Sequence, residues 1–172
     1  MADNFEEALA HTLVQEGGWY PGDEERDTNP TMRGVTQKVY NCYRDELGRP
    51  HRSVQHISAD ELRAIYREYW EDSGAYRLRR LTAMAVFDMA VNAGASRAAV
   101  LLQRTLAMQE DGIVGPKTLA AAYECDEKEL ACEYQWQRLR YYNTLAKQKK
   151  HKLNLWLWLD RVLKLQSLIE EG

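Results

Sequence analysis

The stretch "LTAMAVFDMAVNAG", residues 81–94, is apolar nearly all the way round when wound as a helix. Such a helix has no face to give to water, so other elements must enclose it. The remaining sequence supplies those elements as helical period. Asn4 and Glu7 form a capping box ahead of a stripe of Phe5, Leu9 and Leu13. Thr36 caps a helix reaching Leu47, which Gly48 stops. Ser58 and Glu61 form a second capping box, with Ile57 and Leu62 as its hydrophobic staple. The helix they open carries Leu62, Ile65, Tyr66, Tyr69 and Trp70. Ser96 caps "RAAVLLQRTL", and Pro116 starts a helix after the turn "EDGIVGPKT". Two more helices cover 127–147 and 154–169, separated by "KQKKHK", which reads as a solvated linker. Only residues 19–35, rich in Pro, Gly, Asp, Asn and Thr, lack the period. The chain therefore reads as all-α with one small irregular or hairpin segment near 19–35.

A net charge of −3 over 172 residues gives no basic field for a polyanion, so nucleic acid is not an expected partner. Cys42, Cys125 and Cys132 are an odd set without metal-ligand spacing and read as buried free thiols. The histidines His11, His51, His56 and His151 share no ligand spacing either, so no metal and no cofactor are expected. The opening "MADNFEEALAHTL" has no basic n-region, apolar run or cleavage site, and "LNLWLWL" is far short of the ~18 residues of a membrane span. Synthesis without a signal peptide, no stable membrane anchor and a monomeric state are the expectations. Trp70, Trp136, Trp156 and Trp158 fall at helical spacing and are expected in the core.

"QEGGWY", residues 15–20, carries the chemistry. Eleven residues make about three helical turns, so Glu16 returns to the stripe begun by Phe5. A carboxyl among apolar groups is desolvated and is kept available as an acid. Gly17 and Gly18 close the helix, and Trp19 and Tyr20 offer faces on which sugar rings stack. Glycoside hydrolysis needs such an acid and usually a second group to manage water or the oxocarbenium charge. Downstream stand Asp23, Glu24, Glu25 and Asp27, then Thr31 and Thr36. The spacing of Glu16, Glu25 and Thr31 resembles the acid–carboxylate–threonine triad of phage lysozymes. Glu25 reads equally well as one acid of a solvated loop.

The ordered series of motifs is more specific. "EGGW" followed by "TMRGVT" resembles the glutamate-Gly-Gly-aromatic and Thr-x-x-Gly-Ile-Thr segments of glycoside hydrolase family 108. These are N-acetylmuramidases of phages and prophages, some labelled secretion activators. "FDMAVNAGASRAAVLLQRTL" and "DGIVGPKTLAA" are similar to the family's predicted peptidoglycan-binding region, and "LWLWLDRVLKL" to its closing Trp-x-x-Arg helix. The resemblance implies a lysozyme-like α fold, with a catalytic part over 1–95 and a helical C-terminal part over 96–172 forming one compact unit. It implies peptidoglycan glycan strands as partner and cleavage between N-acetylmuramic acid and N-acetylglucosamine, with Glu16 as acid. It also implies an endolysin made in the host cytoplasm and released through a holin. Where the family has an Asp-Pro-Gly-Gly run, this chain reads "RDTNP", which leaves Asp27 and Asp23 as alternatives to Glu25. The triad spacing favours an inverting reaction. Asp88 and Asn92 match the family's Asp-x-x-Val-Asn segment; they either line the glycan cleft with Trp19, Tyr20, Asp27 and Thr36, or bridge helices through buried hydrogen bonds. A non-catalytic peptidoglycan-binding or secretion-related protein and a lytic transglycosylase are the competing functions.

Overall fold

The computed structural model describes residues 4–23, 29–147 and 155–171. Among these residues the chain forms eight α-helices and one three-stranded antiparallel sheet. The helices are α1 (Phe5–Glu16), α2 (Gln37–Glu46), α3 (Ala59–Asp72), α4 (Arg80–Ala93), α5 (Ala95–Thr105), α6 (Pro116–Glu124), α7 (Glu127–Ala146) and α8 (Leu155–Glu171). The strands are β1 (Trp19–Tyr20), β2 (Thr31–Met32) and β3 (Val35–Thr36), so the segment without helical period is a small sheet. The all-helical architecture with a hairpin insertion is the one expected from the sequence. Two compact units divide the chain, Leu9–Glu68 and Met1–Ala8 with Tyr69–Gly172.

In the larger unit, every residue of α4 from Leu81 to Ala90 is buried, as its unbroken apolar surface requires. Phe5, Trp70 and Phe87 meet edge-on or tilted, with ring centroids 5.4–6.0 Å apart. Two storeys of polar contacts then bind α4 to α7 and α8. In the first, Asp88 accepts from Arg138 at 2.5 Å and from Arg161 Nε at 2.9 Å. In the second, Tyr142 donates to Asn92 at 3.0 Å and stacks on Trp158, with centroids 5.0 Å apart. Asp88 and Arg138 are fully enclosed and Arg161 nearly so. Positions 88 and 92 of α4 therefore meet 138 and 142 of α7 and 158 and 161 of α8, spacings of one helical turn in each case. Gln103 is a further buried anchor. Its amide donates to Asp111 and to the Ile113 carbonyl and accepts from the Gly112 N–H, which fixes the "DGIVG" turn ahead of α6.

In the Leu9–Glu68 unit the Ser58–Glu61 capping box forms in both directions: Ser58 N–H donates to Glu61 Oε2, and Glu61 N–H donates to Ser58 Oγ. Glu61 also accepts from Arg44 at 2.8 Å, Arg52 at 2.6 Å and Tyr40 at 3.0 Å. Thr36 caps α2 by accepting from the Val39 N–H.

Several expectations are corrected. Ser96 does not cap α5; Gly94, with φ of 90°, stands at that N-cap. Glu7 forms an ion pair with Arg80. The thiols are free but not buried, Cys42 being exposed and Cys125 and Cys132 half-buried. Trp70 is core, whereas Trp136 and Trp156 are 58% and 78% exposed. Period places a residue on a helix face but does not say whether a neighbouring helix covers that face. The "KQKKHK" linker lies outside the described residues apart from Lys147.

Burial alone would raise the Asp88 carboxyl, but the charges of Arg138 and Arg161 outweigh it and hold its pKa at about 2. Burial opposes ionisation of Glu61 as well, and hydrogen bonds from Ser58 and Tyr40 with the charge of Arg52 bring it to about 2. A carboxylate with a depressed folded pKa contributes its stability above its unfolded value and loses it as pH falls through the folded one. Both clusters should therefore weaken between about pH 4 and pH 2. Asp88→Asn, which leaves two buried arginines without a counter-charge, should cost ~3–5 kcal/mol at neutral pH. It should also flatten the acid limb of stability. Denaturant unfolding of both proteins across pH measures each effect.

Candidate active site

Glu16 is the last residue of α1, and Gly17, with φ of 68°, takes the left-handed turn beyond it. The glycine ends the helix, as expected, and Glu16 lies half-buried at that end. From there the chain enters the sheet. Trp19 pairs with Met32 and Tyr20 with Thr31, and Thr31 and Met32 pair in turn with Thr36 and Val35. Directly paired residues share a sheet face. Tyr20, Thr31 and Thr36 thus form one row, and Trp19, Met32 and Val35 the other.

β2 and β3 are joined by Arg33 and Gly34 alone, with φ of 48° and 80°. Positive φ at both central residues is the pattern of a type I′ hairpin, whose twist matches that of the strands. The turn packs against Glu16. A Cβ placed on Gly34 would lie 2.5 Å from Glu16 Oε2 and 2.6 Å from the Tyr66 hydroxyl. Only hydrogen at that position leaves room for both groups. Tyr66, buried on α3, donates to the Arg33 carbonyl at 2.7 Å, and the Arg33 N–H donates to the Gly18 carbonyl at 3.2 Å. The turn is thereby tied to the segment just after Glu16 and to α3. Next to it, Leu9, Leu13, Met32, Arg33, Ile57 and Leu62 help line an apolar recess of about 390 Å³.

Of the residues expected at a site, the structure brings Glu16 onto the β2–β3 turn and places Tyr20, Thr31 and Thr36 on one face of the same sheet. Trp19 and Tyr20 are 38% and 40% exposed, open enough to meet a ligand. Trp19, however, belongs to the opposite row from Thr31. The Thr36 hydroxyl is engaged in capping α2. Glu25 and Asp27 lie outside the described residues. The cleft-lining alternative for Asp88 is corrected: the residue is completely buried and its carboxylate is held by two arginines. Asn92 accepts from Tyr142, the helix-bridging alternative. Gly34 and Tyr66 were missed. Gly34 was visible as the glycine of "TMRGVT", whereas Tyr66 looked like any aromatic in a core stripe.

Among the described residues no group of His, Cys, Asp and Glu is arranged to hold a metal ion. The half-buried acid, the open aromatics and the polar row lie on or next to one small sheet in a largely helical protein. The family model described as Glycosyl hydrolase 108 matches residues 9–94, and the one described as Predicted Peptidoglycan domain matches residues 97–162. The chain belongs to glycosyl hydrolase family 108 and is a peptidoglycan hydrolase. Among solved structures, SagA from Brucella abortus is similar at 26% identity and a TM-score of 0.82, covering 97% of this chain and 94% of that one. No curated protein matches.

The Gly34 contact gives a direct test. Gly34→Ala puts a methyl into the space of the Glu16 carboxylate and adds side-chain strain at positive φ. Where Glu16 serves as the acid, hydrolysis of peptidoglycan should fall at least ~10-fold, because a displacement of about 1 Å at a catalytic group is costly. Tyr66→Phe removes only the hydroxyl and should produce a smaller loss. Turbidity clearance of permeabilised cells compares the rates, and thermal melts show whether the variants remain folded.

Proposed function

We propose that the enzyme is an N-acetylmuramidase that cleaves the β-1,4 bond between N-acetylmuramic acid and N-acetylglucosamine, with Glu16 as general acid. The observation that carries this reading is the close seating of the Glu16 carboxylate on the Gly34 turn, at the end of a helix and beside exposed aromatics. Glu16 would donate its proton to the leaving glycosidic oxygen as the C1–O bond breaks. A second group would deliver water to the anomeric carbon. Glu25 with Thr31 is the pair that the lysozyme-like spacing supports, with Asp27 and Asp23 as substitutes.

Glu16→Gln keeps the shape of the side chain but cannot give up a proton in the same way. Lysis should drop at least ~10²-fold, the scale of lost acid–base catalysis, with the fold retained. A variant that clears cells at the parental rate would remove Glu16 from the mechanism. Parallel rates for Glu25→Gln, Asp23→Asn, Asp27→Asn and Thr31→Ala identify the helper, and the largest losses are expected at Glu25 and Thr31.

Water held by Glu25 and Thr31 on the face opposite the leaving group would invert the anomeric centre. Inverting enzymes separate their carboxyls by roughly 6.5–9.5 Å, against about 5–5.5 Å in retaining ones. Proton NMR of fresh digests, read before mutarotation, should show the α-anomer first. An initial β-anomer would indicate a retaining mechanism, and muropeptides lighter by one water would indicate a lytic transglycosylase. The biological setting proposed is that of an endolysin acting as a monomer, synthesised in the host cytoplasm and admitted to the wall by a holin. Lysis that depends on a co-expressed holin would support it.

A further inference from the structure

In the larger unit the exposed aromatic side chains among the described residues are Tyr76, Tyr123, Trp136 and Trp156. Arg77 lies over the Tyr76 ring at 5.2 Å and Arg79 over the Tyr123 ring at 5.5 Å, so each tyrosine has one face taken. Trp136 and Trp156 have no ring or cation stacked on them among the described residues. On α7, Trp136, Arg140 and Asn143 follow one another at one-turn spacing and share a face. On α8, Leu155, Leu159, Leu163, Gln166 and Glu170 fall within an arc of about 80°, with Trp156 at its edge. Trp136 and Leu139 line two open recesses there, of about 230 and 430 Å³. Arg140 and Asn143 edge the larger recess, and Gln166 and Glu170 the smaller.

An apolar floor with a few polar groups at its edges is the construction of a small-ligand site. The polar groups here are of two kinds. Gln166 is held in place, its Nε2 donating to Glu170 at 2.7 Å and to the Cys132 thiol at 3.3 Å. The exposed side chains of Arg140 and Asn143 form no hydrogen bond among the described residues and keep their donors for a ligand. A pyranose ring has the matching halves, an apolar C–H face for the indole and a rim of hydroxyls for the polar edge. An N-acetylhexosamine adds a methyl for the leucine floor and an amide for Asn143 or Gln166. Charge selects neither a polyanion nor a polycation, because Arg140 and Lys147 stand beside Asp160 and Glu170, and Lys164 pairs with Asp160 at 2.6 Å. The polymer is set by the domain: most of the lining, from Cys132 to Val162, falls within the stretch that matches the Predicted Peptidoglycan domain.

We propose that the α7–α8 face centred on Trp136 is a binding site for the β-1,4-linked N-acetylhexosamine backbone of the wall, stacking one sugar on the indole and holding its substituents from Arg140 and Asn143. The proposal rests on peptidoglycan as partner; it depends neither on which bond is cleaved nor on Glu16 as the acid. The full chain is tested in two ways. In cold sedimentation with purified sacculi, Trp136→Ala should weaken binding at least ~5-fold, as loss of a central tryptophan anchor does. Trp136→Phe, which keeps a ring, should retain most of it, and Arg140→Ala with Asn143→Ala should cause a smaller loss. All three lie at exposed positions and should keep the parental melting temperature and the parental rate on short soluble glycan fragments, while clearing intact sacculi more slowly in proportion to lost binding. In the second test, a tetrasaccharide of β-1,4-linked N-acetylglucosamine is titrated into isotope-labelled protein. The Trp136 indole N–H and the Asn143 side-chain amide resonances should move. Parental sedimentation of both Trp136→Ala and the Arg140–Asn143 double variant would overturn the proposal. So would a titration that leaves both resonances unmoved, which assigns wall binding to stem peptides or to another surface. Variants that bind sacculi normally but lose vesicle binding or self-association would overturn it too, giving the face to a lipid or to a second copy.

Discussion

The larger unit depends on the ionised carboxylate of Asp88. Two arginines share it in the helical core, Arg138 fully enclosed and Arg161 nearly so, which leaves one positive charge in excess of the carboxylate. Such an arrangement is tolerable because Asp88 accepts from both arginines and Arg138 also donates to Gln135, since a buried charge left unpaired costs far more than the pair contributes. It gives α4, α7 and α8 a register that apolar packing alone would leave looser. The storey above it repeats the logic without charge, through Asn92, Tyr142 and Trp158. Two motifs distant in sequence, Asp-x-x-Val-Asn and Trp-x-x-Arg, are therefore the two halves of one clasp.

The smaller unit turns on the reverse device, an absent side chain. Gly34 satisfies the left-handed turn and yields its Cβ space to Glu16 and Tyr66 at once. Both demands fall on one residue, so any replacement disturbs the hairpin and the acid together. Around it, the Tyr66 hydroxyl and the Gly18 carbonyl fix the Arg33 peptide from two sides. The Glu61 cluster performs a similar task at the start of α3, where one carboxylate gathers Arg44, Arg52 and Tyr40.

Local chemistry was legible in the sequence at many places where both partners lie within a turn or two of each other, although the Ser96 cap, a feature of the same kind, did not form. The Ser58–Glu61 box, the Thr36 cap, Pro116 at the first turn of α6 and the buried girth of α4 all belong to that class. The position of Glu16 at the end of α1 followed from helical period and the glycines after it, and the family from the ordered resemblance of "EGGW" and "TMRGVT". What could not be read were partnerships across long stretches of chain, such as Asp88 with Arg138 and Arg161 or Tyr66 with Arg33. Periodicity assigns a face but is silent about what that face meets. For the same reason Trp70 and Trp136 looked alike, although one is enclosed and the other is not.

The Asp88 clasp also sets an order of events during synthesis. Arg138 follows Asp88 by 50 residues and Arg161 by 73. At cellular elongation rates of about 5–20 residues per second, roughly 4–15 s separate the emergence of Asp88 from that of its second arginine. Until Arg138 emerges α4 has neither counter-charge, and until Arg161 emerges it lacks the second one and its full enclosure. The nascent chain thus carries its most aggregation-prone helix well before the residues that complete its burial. A ribosome-bound chaperone would find its longest window there, and chains that stop short of Arg161 would never close it.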